Sequence, residues 1–186
     1  MSVLILVASI ALALVPGVCM AQSGSPYAGF ETRSIKALSD QQISDLRAGL
    51  GMSLALAAEL NGYPGPGPRH TLELADQLGL SDAQRARVEE LFAKMKAESI
   101  PIGERLIAQE AELDSAFARK TITAAELGAL THAIGSTQAV LRETHLKYHL
   151  LTLDMLTPAQ TRRYLELRGY VADQKHGHDA SMHSPH

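Results

Sequence analysis

The sequence predicts an all-α fold, and three observations carry that prediction. Apolar residues recur at spacings of three, four and seven over two long stretches. Aromatics are scarce, with three Phe, five Tyr and no Trp, so the core must come from Leu, Ala, Ile and Met, which suit packed helices better than a β-sandwich. No stretch alternates apolar and polar residues for long enough to make a strand. At 186 residues, 46% hydrophobic and 20% charged, the chain is sized for one domain with a substantial core. A net charge of −3 and the lack of any Lys/Arg stripe give no electrostatic footprint for nucleic acid.

Residues 1–21, MSVLILVASIALALVPGVCMA, are uncharged and apolar until Pro16 and Gly17, with small residues Cys19 and Ala21 at the end. They read as a secretory signal peptide, cut after Ala21 to leave a chain starting at Gln22. No Lys or Arg precedes the run, which is nearly long enough to span a bilayer, so the alternative is a retained anchor. Membrane association is expected only in that case. Cys19 is the only cysteine, so a chain cut after Ala21 has none, and therefore no disulfide, thiolate ligand or Cys nucleophile, and packing alone must hold it.

Residues 22–68 form an N-terminal arm with short helices. Gln22 to Lys36 is polar and irregular and reads as an extended arm; Ala37 to Leu60 is helical in two pieces broken near Gly49 and Gly51. "NGYPGPGP", Asn61 to Pro68, carries three prolines and three glycines and reads as a loop or hinge. A short helix from about His70 to Leu78, stopped by Gly79, opens the main unit, residues 69–170. The first long helix, Ser81 to about Arg119, places Val88, Leu91, Phe92, Met95, Ile102, Leu106, Leu113 and Phe117 on its seam, and Pro101 should kink it. The second, about Thr123 to Leu156, has the seam Leu127, Leu130, Ile134, Leu141, Tyr148, Leu151 and Met155. At ~1.5 Å per residue each reaches ~50 Å, and the short "RKTI" connection makes them an antiparallel hairpin. A last helix spans Pro158 to about Arg168, and residues 171–186 read as a His-rich disordered tail.

One sentence is written twice: "LSDAQ" from Leu80 to Gln84 and "LTPAQ" from Leu156 to Gln160. Ser81 and Thr157 sit where a helix N-cap belongs, and Gln84 and Gln160, three residues on, can bond back to the cap's own amide. Pro158 suits the first helical position, where a missing N–H costs nothing. "LSDQQ", Leu38 to Gln42, repeats the device and "ITAAE", Ile122 to Glu126, varies it; Leu38 can staple onto Ile43 and Ile122 onto Leu127. Helix initiation alone is a sufficient reading of all four.

The paired LTxxQ-type motifs on a small, exported, cysteine-poor helical chain resemble the Spy/CpxP family of periplasmic proteins, with its zinc-resistance and metal-sensor relatives of the ZraP and CnrX types. The resemblance covers roughly His70 to Tyr170, leaving Gln22 to Pro68 as an extension. It implies a motif-bracketed helical hairpin pairing into a thin, curved homodimer in the periplasm, or anchored in the inner membrane facing it. It also implies an ATP-independent chaperone or envelope stress protein that binds partly unfolded clients; the alternative is a heavy-metal sensor or resistance protein. Leu146, Leu150 and Leu153 independently form a second apolar stripe, rotated away from the Leu141–Tyr148–Met155 seam. A single hairpin cannot cover both faces, so this stripe is a dimer contact or client surface unless the terminal helices cover it.

Metal chemistry has two candidate locations. His145 and His149, four apart in "THLKYHL", share a helix face and can share one ion, with His70, near Glu73, as a further ligand. The bland alternative is two half-exposed histidines on a helix flank. His176, His178, His183 and His186 in the tail can bind Zn, Ni or Cu weakly, or simply be solvated. No cofactor is required, and His132 has no evident partner. Enzymatic motifs are missing: no phosphate loop, HExxH, GxSxG or CxxC occurs, and Glu89, Glu90, Glu110 and Glu112 read as solvated helix faces.

Overall fold

A computed structural model describes residues 25–63 and 65–170. The fold is all-α, and among the described residues there is no strand, only an isolated bridge between Ile35 and Leu38. After a 3-10 turn at Phe30–Thr32, seven helices follow: α1 (Asp40–Ala48), α2 (Leu56–Leu60), α3 (Pro68–Glu73), α4 (Ala75–Leu78), α5 (Asp82–Ala118), α6 (Ala124–Leu153) and α7 (Pro158–Leu167). No helix among the described residues is long and apolar enough to cross a membrane.

Capping sets where the helices start. Ser39, Ser81 and Thr157 each accept from the N–H of the residue three ahead, while that residue's Gln side chain accepts from the cap's own amide. Each is a complete capping box, stabilising its helix start by about 0.5–2 kcal/mol. Thr123 opens α6 with half the device, accepting from the Glu126 amide at 3.2 Å. Gly49 and Gly79, in the left-handed region, end α1 and α4. Helix α5 runs without a break through Pro101.

The two long helices run antiparallel and pack along their length. Glu98 on α5 meets Lys147 and Tyr148 on α6, while Gln84 at the start of α5 meets Met155 just past the end of α6. The buried seam of α6 is Ile134, Thr137, Leu141, Thr144, His145, Tyr148, His149 and Thr152, five of the eight polar. Thr144 and Thr152 satisfy their hydroxyls on the carbonyls of Val140 and Tyr148, four residues back, so they are buried without orphaned donors. Leu127, Leu151 and Phe117, expected in the seams, are instead exposed: a 3.6-residue period drifts out of a seven-residue register over thirty residues. Glu110, expected in solvent, is buried, and desolvation raises its pKa.

The N-terminal segment corrects the sequence reading most. Residues 25–34 are exposed or half-buried but turned rather than extended, and Ile35 is buried, joining Leu38 and Leu46 in one core cluster with Leu106 and Ile107 of α5 and Ile134 and Leu141 of α6. Each such side chain contributes about 1.5–3 kcal/mol on burial. Gly103 lets α1 approach α5: a Cβ there would lie 2.8 Å from the Leu46 carbonyl oxygen. In the loop after α2, Asn61 and Tyr63 are exposed while Gly65, Pro66, Gly67 and Pro68 are all buried. The expected single helix after it is two, α3 and α4, separated at Leu74.

Candidate functional site

The repeated motifs meet. Gln84 donates through Nε2 to the Met155 carbonyl and to Gln160 Oε1, both at 2.9 Å, and Gln160 returns bonds to Gln84 Oε1 at 3.1 Å and the Gly79 carbonyl at 3.3 Å. Each amide oxygen also accepts from its own N-cap amide, Ser81 or Thr157. The arrangement fixes both amide orientations, because flipping either would set NH2 against a backbone N–H. One glutamine thus starts a helix and clamps the other helix start. Leu80 and Leu156 flank this junction half-buried.

A cleft of about 330 Å3 lies between the α1–α2 turn, the start of α3 and α6. His70, His145 and His149 all line it, with Glu59, Arg69, Phe92, Met95, Arg168 and Tyr170. The half-exposed reading of the histidine pair is corrected: His145 is 3% exposed and His149 8%. Gly67 makes the burial of His149 feasible, since a Cβ there would lie 2.6 Å from His149 Nε2; Gly51 lies beside the His145 ring with room for a Cβ, 3.5 Å from Nδ1. His149 Nδ1 donates to the Gly65 carbonyl at 2.9 Å, leaving Nε2 as the basic nitrogen. His70 does the same toward Glu73 Oε2 at 2.7 Å, and that bond is the main cause of the lowered Glu73 pKa. His145 has no such partner; its Nε2 is buried and unpaired. Burial first, and the nearby His149 second, lower its pKa to about 4. Burial also lowers His149, partly offset by its bond to Gly65.

Beside the cleft stands a group that sequence reasoning missed. Glu59, 6% exposed, accepts through one oxygen from Tyr164 at 2.8 Å and from Arg168 and Tyr170 at 3.1 Å each. Its signal was legible: Glu59 is the only charge in the apolar run LALAAEL. Burial and then the Glu59 carboxylate push the Tyr164 hydroxyl pKa upward.

The third feature is the outer face of α6. Leu146 and Leu153 are half-buried and Leu150 is 49% exposed. Leu146, Leu150 and Ala139 floor a shallow hollow rimmed by Arg142, Glu143 and Lys147. His132 is exposed and bonds the Gly128 carbonyl, and the tail residues His176, His178, His183 and His186 lie outside the described residues.

No family model, curated protein or solved structure matches the chain.

Proposed function

We propose that the chain is an exported, ATP-independent holdase of the Spy/CpxP type, binding apolar segments of unfolded periplasmic proteins. The observation that carries this reading is the outer face of α6, where Leu146, Leu150 and Ala139 make an apolar floor inside a charged rim. Such a surface gains from excluding water around a client's apolar side chains, and its rim keeps the free protein soluble. The motif junction supports it by holding the hairpin ends together without occupying that face. A homodimer using part of the same face belongs to this proposal.

The test is the double variant Leu146→Asp/Leu150→Asp. Leu150 is 49% exposed and Leu146 half-buried, so helicity should be kept with a modest fall in denaturation midpoint, while suppression of client aggregation falls several-fold. Undiminished protection would remove the reading's basis.

A second reading, a Zn-, Cu- or Ni-binding sensor or resistance protein, is favoured by one observation. His70 and His149 each seat Nδ1–H on an acceptor and line one cleft with Nε2 left basic, the orientation that metal-bound histidines need. Among the described residues no third His, Cys, Asp or Glu converges with them, whereas zinc takes three or four protein ligands. Metal titration of the intact chain and of His149→Ala, followed by calorimetry, separates the two readings.

A further inference from the structure

We propose that α1, with Ile35 and Leu38, is a built-in occupant of a second apolar face of the hairpin, and that a client segment binds by displacing it. This rests on the holdase reading and adds where else a client binds and what holds that site shut. The covered face comprises Leu106 and Ile107 of α5 and Ile134 and Leu141 of α6, edged by Ile102 and Leu113. Its occupant states the chemistry it accepts: a short amphipathic helix, entered from a tight turn that brings two apolar residues together, with Leu46 brought close over Gly103.

Several features make α1 a removable occupant. Among the described residues, the side-chain polar links from residues 25–55 to the hairpin are two ion pairs, Arg47–Glu104 at 3.2 Å and Lys36–Asp114 at 3.7 Å. Arg47, Glu104 and Lys36 are about half exposed, so the pairs hold weakly. The turn that follows is strained: Met52 and Ser53 both have positive φ, at 38° and 70°. Beneath it the closed state leaves polar atoms unpaired, Ser99 Oγ near Gly49 and Nε2 of His145, whose ring lies beside Gly51. Opening lets water reach both atoms and relaxes the turn, which offsets part of the lost burial. The hairpin keeps its own packing, its motif clamp and the Glu98 bonds whether α1 is seated or not.

Two variants push the equilibrium in opposite directions. Gly103→Ala sets a methyl against the Leu46 carbonyl while favouring the α5 helix, so it should unseat α1 alone. Gly49→Cys/Ser99→Cys, in a Cys19→Ser background, should lock it once oxidised, since a Cβ on Gly49 would lie 2.9 Å from Ser99 Oγ; a side chain at this left-handed position strains the end of α1, so the reduced pair is the reference. Hydrogen exchange on the unaltered chain should find amides at Ile43–Leu46 exchanging about ten-fold or more faster than those at Leu106–Ile107 and Leu141. Gly103→Ala should raise apolar dye binding and client protection. The oxidised pair should protect clients several-fold less than the same pair reduced. Amides of α1 as slow as those of α5 and α6, or equal protection by locked and reduced forms, would overturn the displacement while leaving the holdase reading intact. No protection by any form, with α1 still exchanging fast, would overturn the holdase reading itself.

Discussion

Gln84 and Gln160 show how one residue type performs two tasks through two ends of one amide. The oxygen caps its own helix; the nitrogen crosses to the other motif. Removing either should therefore cost more than a cap. Gln84→Ala and Gln160→Ala should each lower stability by about 1–3 kcal/mol, with a coupling of about 0.5–3 kcal/mol in a double-mutant cycle read by urea denaturation. Additive losses would mean the two amides act separately. His145 gives a pH prediction. Its folded pKa, about 4, lies below the ordinary 6.5, so the unfolded chain binds the extra proton between those values. Its contribution is present above about pH 6.5 and is lost as pH falls toward 4, roughly 3 kcal/mol in all. His145→Leu should flatten that slope in denaturation midpoints taken between pH 7 and 4.5.

At the scale of elements, α5 carries an internal proline without interruption because the helix on either side is long and packed against α6. Pro101 still removes one backbone donor, and its side chain is exposed, so nothing packs on the ring. Pro101→Ala should raise stability by about 1–3 kcal/mol, measured as a shifted urea midpoint; a fall would mean that α5 needs the proline's curvature. Element boundaries were readable because capping is local: three complete boxes and two left-handed glycines follow from residues a few positions apart. Which residues of the seams are buried was not readable over the full length. Phe117, Leu127 and Leu151 obey the period but leave the interface, because straight helices drift from a seven-residue repeat. The histidine pair was legible as sharing one face, but the burial of His149 depends on Gly67, more than eighty residues away.

For the whole molecule, the segment before α3 is integral. Glu59 ties α2 to Tyr164 of α7 and to Arg168 and Tyr170 beyond it, across more than one hundred residues of sequence. Glu59→Ala would strand two buried or half-buried hydroxyls and a guanidinium, at about 2–4 kcal/mol in thermal or urea unfolding. A loss below about 0.5 kcal/mol would mean that water replaces the carboxylate freely.

The sequence by itself determined the fold class, the starts and stops of most helices and the repeated capping device, because these rest on spacing and on bonds spanning three or four residues. Tertiary structure decided that the two motifs clamp each other, that the histidines are buried, that Glu59 anchors the C-terminal end and that the N-terminal segment covers the hairpin. Each of those depends on which distant surfaces meet, and close approach at Gly67 and Gly103 is set by three-dimensional packing that no local pattern encodes.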